Sequence, residues 1–297
     1  MNINIILVLL FNGVLLGLIY AVVSIGFSLV LGIGQVINFA HGLLFAFGAY
    51  IFWYISPIIG YWPAFIITPL IVGGMGYLIE KLVITRVYGQ DPLFGLLVTL
   101  GISLAGTEII RMIWGKLTKV VSTPGFAAGQ VHFANIIYPK YRIALALISL
   151  IIILFVWWLM IRSNFGTIVK AGMTDSEMIS ALGHNLPVLR NRVFIIGSIL
   201  AGMAGIVAAP LWGIKSEMGT DILMLAFTIA LIGGLGSIKG TVIAALVIGI
   251  ITSLGVLIIP RLVEAVPFIL LIAVLFYKPK GLYGELTILG EVTAREK

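Results

Sequence analysis

The chain has 297 residues, of which 61% are apolar and only 10% charged, with 35 glycines, no cysteine and a formal charge of +7. An average soluble domain is about 45–50% apolar and about 25% charged, so these proportions exclude a soluble enzyme, a nucleic-acid binder and a disordered protein. They describe an all-α polytopic membrane protein, and the lack of cysteine also excludes disulfides, thiolate metal sites and cysteine nucleophiles.

The first 79 residues contain no Asp, Glu, Lys or Arg; Glu80 is the first. At about 20 residues per crossing that stretch alone holds three spans. No positive region precedes its first apolar run, which is therefore expected to stay as a true span rather than a cleaved leader. Nine apolar runs stand out, at about 5–33, 36–60, 62–79, 93–114, 141–161, 193–214, 222–235, 241–259 and 262–277. Eight to ten transmembrane helices are expected, some broken or re-entrant. The run at 222–235 is short and ends in a glycine cluster, Gly233-Gly234-Leu235-Gly236-Ser237-Ile238-Lys239-Gly240, and the second run begins with another interruption at 32–38. No loop is long enough for a folded ATPase or catalytic module. Residues 1–297 are thus read as one transmembrane domain with its main loop at 162–192. The segment Gly236-Ser237-Ile238-Lys239-Gly240-Thr241 approaches a phosphate-binding Walker loop but fails its spacing.

Charge position sets the orientation. Segments 80–92, 162–192, 233–240 and the tail from 278 hold eleven of the 18 Lys and Arg, Arg295 and Lys297 among them, whereas the opposite loops hold six. The richer side is expected to be cytoplasmic, and with it the C-terminus.

Three polar places need a physical reason. Asn38 and His41, in Ile37-Asn38-Phe39-Ala40-His41-Gly42, share a helical face. They either line a translocation path or pin a broken helix, or they sit in a wet interfacial turn. In the 162–192 loop, Thr174-Asp175-Ser176-Glu177 has the form of a capping box. Gly183 suits a helix stop, and Asn185 with Pro187 a new start. The short helix between carries Met178, Ile179 and Leu182, which either dock on a soluble partner or rest on headgroups. The glycines at 233–240 suit a re-entrant gate or simple close packing. Glu108 and Arg111, three apart, read as a self-neutralising interfacial pair.

Taken together these places resemble the permease subunits of branched-chain amino-acid ABC importers, of the LivH type. The resemblance rests on Asn-Phe-Ala-His-Gly at 38–42 and on Ala171, Asp175 and Gly183-His184-Asn185 ahead of Ala201-Gly202-Met203-Ala204-Gly205. It extends to Gly-Gly-x-Gly-Ser-x-x-Gly at 233–240 and Lys-Pro-x-Gly-Leu-x-Gly at 278–284, so that it covers about residues 11–284. The family's usual Glu-Ala-Ala is replaced by Glu177-Met178-Ile179. The resemblance implies a permease that is not itself an enzyme and binds no cofactor. Two cytosolic ATPases would use ATP and Mg2+, a second permease chain would complete the pathway, and an extracytoplasmic binding protein would deliver substrate, all at the cell inner membrane. It further implies that Asn38, His41, Gly42, Gly233, Gly234, Gly236 and Ser237 belong to the path or its helix breaks. Thr174, Asp175, Glu177, Met178, Ile179, Leu182 and Gly183 would then couple to the ATPases. Permeases for urea, amides or sugars belong to the same superfamily. A stand-alone secondary carrier is the other reading, but it would need buried coupling charges, for which Glu108, Arg111 and Glu264 alone qualify.

Overall fold

A computed structural model describes residues 3–121, 123–133 and 136–284. Among these, in chain order, are α1 (Ile3–Gly34), α2 (Ala40–Ile59), α3 (Tyr61–Leu82), α4 (Pro92–Trp114), β1 (Gln130–Phe133), β2 (Ile136–Pro139), α5 (Lys140–Arg162), α6 (Asn164–Thr174), α7 (Ser176–Ala181), α8 (Leu186–Trp212), α9 (Met218–Gly233), α10 (Ile238–Ile258) and α11 (Val266–Tyr277). Eight helical stretches are long and apolar enough to cross a bilayer, as a multi-pass membrane protein requires. The exception among the apolar runs is α9, whose 16 residues reach about 24 Å against a hydrocarbon core of about 30 Å.

Glycine dictates which helices meet. Gly13 and Gly17 lie over α10, where a Cβ at Gly13 would stand 2.7 Å from Ile250 Cα and one at Gly17 2.7 Å from Leu246 Cα. The two backbones touch, which is how small residues pair helices in lipid, where burial from water supplies no driving force. The Ser253 hydroxyl adds a 2.7 Å bond to Leu9 O. Around α8, which packs on α1, α2 and α3, 72% of the most apolar stretch is enclosed by protein, against 6% for the stretch Pro260–Tyr277 that ends in α11. One is the hub of the bundle and the other its rim.

Two features depart from the sequence reading. Loop 162–192 contains two helices before α8 rather than one, because Ser163 caps an additional helix, α6, by accepting from Gly166 N–H at 3.1 Å; α8 itself starts as expected, capped by Asn185 with Pro187 in its first turn. The loop after α4 closes with an antiparallel hairpin, Gln130 opposite Pro139.

The ends of the helices sort into two groups. Arg190 reaches Ile33 O at 3.4 Å and stacks 4.6 Å from the Tyr88 ring centroid. Asn191 donates to Glu80, and Lys239 lies 5.5 Å from the Trp157 ring centroid. The segments at 80–92, 162–192, 233–240 and 278–284 therefore share one end of the bundle; Arg295 and Lys297 lie outside the described residues. At the other end Lys119 and Ile214 exchange two backbone bonds of 3.0 and 2.9 Å, and Tyr138 donates to Asn12 at 2.8 Å.

Candidate translocation and coupling site

After α1 the chain turns at Gln35, whose φ of +53° is the one positive value at a non-glycine residue among those described. Residues 36–39 then run back along α4 before α2 begins. Thr99 holds this irregular stretch: its hydroxyl accepts from Phe39 N–H at 3.1 Å and lies 3.0 Å from Ile37 O. Irregular backbone at membrane depth survives only when protein or a water-lined cavity satisfies it. Asn38 Oδ1 accepts from Ala40 N–H at 3.0 Å and so starts α2. His41 Nε2 lies 3.0 Å from Val23 O, an arrangement that puts its proton on Nε2, and its ring meets Phe27 edge-on at 5.6 Å. Both side chains face protein, at 2% and 1% exposure. Asn38 Nδ2 and His41 Nδ1 keep unused capacity, with no partner among the described residues.

Gly42 brings this break against a second one. A Cβ there would stand 2.9 Å from Gly219 C and 3.0 Å from Leu223 Cβ, and one at Gly219 would stand 2.8 Å from Gly42 C. The first turns of α2 and α9 therefore cross backbone to backbone. The break before α9, residues 213–217, falls in the gap expected between the runs ending at 214 and starting at 222, but its place beside Gly42 escaped the sequence reading, although Lys215-Ser216-Glu217 was its signal. Arg111 binds it from α4: it pairs with both Glu108 and Glu217 and reaches Ser216 Oγ at 3.3 Å. The expected Glu108–Arg111 pair forms, and Arg111 extends it into a bridge between α4 and the start of α9. The hydrogen bond from Arg111 holds the Glu217 carboxyl below the usual carboxylate range.

Gly233, Gly234, Gly236 and Ser237 do not join His41. They form the turn between α9 and α10, where Gly236 N–H donates to Ser28 at 2.9 Å. That is five residues along α1 from the histidine's partner Val23, or about 7.5 Å. The φ of +97° at Gly234 and +78° at Gly236 makes the turn possible, and Ser237 caps α10 by accepting from Gly240 N–H at 3.2 Å. The segment 278–284 closes over it: Leu282 N–H donates to Ile232 O at 2.8 Å and Tyr283 N–H to Gly233 O at 3.1 Å. Two motifs far apart in sequence are thereby one structure.

The 174–183 segment differs in detail from its reading. Thr174 does not cap a helix; it ends α6, and its hydroxyl donates to Lys170 O at 3.2 Å. The cap is Asp175, whose Oδ1 accepts from Glu177 N–H at 3.0 Å and Met178 N–H at 2.9 Å. The carboxylate, one residue later, is in register with the orphan donors of α7. Gly183, with φ +87°, closes the helix: His184 N–H donates to Ile179 O at 3.1 Å. The apolar side divides. Ile179 is buried within the chain, whereas Met178 and Leu182 are 59% and 69% exposed, so the anchor expected of all three residues is presented by two. From α6, Met173 reaches inward: its sulfur would lie 3.0 Å from a Cβ at Gly32 and 2.8 Å from one at Gly236. One thioether thus bears on α1 and on the α9–α10 turn at once.

Residues 9–275 match the family described as branched-chain amino acid transport system, permease component. The chain is 27% identical to the high-affinity branched-chain amino acid transport system permease protein BraD of Pseudomonas aeruginosa, over 93% of its own length and 94% of the relative's. It is 30% identical to LivH of Escherichia coli, a permease protein of the same kind of system, over 93% and 94% respectively. Among solved structures it is similar to PsaBC from Streptococcus pneumoniae in complex with Fab, at a TM-score of 0.52 and 12% identity over 91% of each chain, a likeness of fold alone.

Proposed function

Because this chain belongs to the family of branched-chain amino acid transport permease components, we propose that it forms the membrane pathway of an ATP-driven importer of hydrophobic amino acids. It is a permease subunit rather than an enzyme. Hydrolysis of ATP with Mg2+ falls to two cytosolic partners, a second permease chain completes the pathway, and an extracytoplasmic binding protein delivers the substrate. The family match over nearly the whole chain carries this reading.

Geometry supports a division of labour. The polar break at Asn38–His41, crossed by the start of α9, is where the path is expected: it is the irregular, protein-facing stretch that a transporter needs at depth. Met178 and Leu182 offer the ATPases an apolar contact, and Met173 connects that contact to α1. A partner moves a conformational equilibrium only through differential contacts, and this is the surface that can supply them. Excess Lys and Arg put α6 and α7 on the cytoplasmic side of the inner membrane, together with the C-terminus.

Proteoliposomes holding the whole importer, with binding protein outside and ATP inside, test the proposal. Labelled leucine, isoleucine and valine should accumulate, and should stop accumulating when ATP is withheld. Uptake of urea, an amide or a sugar instead would move the chain to another branch of the superfamily. Leucine uptake driven by an ion gradient without ATPases would make it a secondary carrier.

A further inference from the structure

A cavity lies at the end of the bundle that holds the 162–192 and 233–240 segments, the end read as cytoplasmic, away from the polar break. It has a volume of about 310 Å3 and lies between the end of α5, the end of α6, the α9–α10 turn and the closing segment. Its wall is amphipathic. Met160, Ile161 and Leu235 make one part apolar; Lys170, Lys239 and Ser237 make another polar. Trp157 joins the two, with the Lys239 ammonium 5.5 Å from its ring centroid. Neither lysine has a carboxylate within ion-pair distance among the described residues. Ser237 Oγ spends only acceptor capacity, on Gly240 N–H, which leaves its proton free to donate.

Depth decides what such a cavity holds. Trp157 is five residues from the end of α5 at Arg162, about 7.5 Å along the helix, which is the interfacial layer where indole rings settle. A lysine pair there, above an apolar floor, fits an anion that carries hydrocarbon with it. Basic pockets between helices on the cytoplasmic side bind anionic headgroups by this logic. We propose that this cavity binds an anionic phospholipid, its phosphate between Lys170 and Lys239 and its first methylenes against Met160, Ile161 and Leu235. The ligand then touches α6 and the α9–α10 turn together, the same two elements that Met173 links, so its occupancy bears on coupling. The orientation of the cavity toward the cytoplasm rests on the functional reading above, whereas the lipid site itself does not.

The test is native mass spectrometry of the purified full chain, titrated with phosphatidylglycerol, with phosphatidylcholine of the same acyl length and with inorganic phosphate. Phosphatidylglycerol should be retained in preference to phosphatidylcholine, and the double variant Lys170→Gln, Lys239→Gln should weaken that retention about thirtyfold. A charge-matched control, Lys81→Gln with Arg86→Gln, removes two exposed cations from the same end of the bundle and should leave retention unchanged. Equal loss in both double variants, or equal retention of both lipids, would overturn the proposal. Competition by millimolar phosphate as effective as by lipid would assign the site to a free anion and overturn the lipid. Binding that appears only after removal of residues 285–297, which carry Glu285, Glu291 and Glu296 beside Arg295 and Lys297, would assign the cavity to carboxylates of the chain's own tail and overturn the lipid. Because none of these readouts involves amino-acid uptake, failure here is separable from failure of the transport function.

Discussion

The crossing of α2 and α9 depends on two hydrogen atoms. With a methyl group in place of the Gly42 hydrogen, the first turn of α9 must move, since the obstruction is the Gly219 backbone rather than a pliable side chain. Overpacking of this kind costs about 1–3 kcal/mol. Gly42→Ala is therefore expected to lower the unfolding midpoint by several degrees and to slow leucine uptake, measured by thermal aggregation and by proteoliposome transport. Gly101→Ala is the matched control, because a Cβ there meets nothing within 4 Å, and should change neither. A similar midpoint for the two variants would mean the crossing does not constrain the fold. Such contacts are invisible in sequence. Asn38 and His41 stood out as polar residues between apolar runs, but nothing in the residues nearby names Val23 O as the partner of His41 or Gly219 as the neighbour of Gly42.

At the scale of a single element, α7 shows how closely a cap can be read and where the reading slips. Thr174 and Asp175 are both good caps, and the threonine has glutamate three residues on, so the pattern favours it. The threonine is taken up by the end of α6, a helix whose apolar pattern was too short to be noticed, and the cap passes to Asp175. Asp175→Ala should cost α7 about 0.5–2 kcal/mol and Thr174→Ala much less, a difference that amide hydrogen exchange across residues 176–182 would record. The division of the apolar side gives a second expectation. Leu182→Asp alters an exposed contact and should abolish stimulated ATP hydrolysis while membrane insertion and midpoint stay the same. Ile179→Asp buries an unpaired carboxylate against the chain's own helices and should lower the midpoint itself. Normal coupling in the Leu182 variant would remove α7 as the ATPase contact.

For the whole molecule, the spans were legible because lipid admits few solutions: a run of apolar residues must be a helix whatever its neighbours. Charge counting was equally legible, and the structure gathers the segments it grouped at one end of the bundle. The lack of cysteine makes the orientation directly measurable. A single cysteine introduced at Lys280 should react with an impermeant thiol reagent only after the membrane is opened, and one at Lys116 before it; the reverse pattern would invert the chain. Selectivity is a property of the assembled importer on this reading. Beside Asn38, His41 and the Arg111 bridge, the side chains around the break are aliphatic or aromatic, Phe27, Ile37, Leu96, Leu223 and Phe227 among them, and passage requires binding weak enough to leave. Calorimetric titration of the permease complex without its binding protein should show weak or no binding of leucine, isoleucine or valine. Micromolar affinity would place a selective site in the membrane.

The closing of the α9–α10 turn by Leu282 and Tyr283 bears on how the protein is made. Translation proceeds at about 5–20 residues per second, so α9 and α10 emerge and enter the bilayer before the two donors that seal Ile232 O and Gly233 O exist. Until then the 16-residue α9 ends in open carbonyls, and the insertion machinery holds a set of spans that is not yet fastened. Leu282 and Tyr283 act as a latch thrown only after α9 and α10 are in place. A chain truncated after Tyr277 contains every crossing found among the described residues and should still be extracted or degraded more readily than one truncated after Gly284.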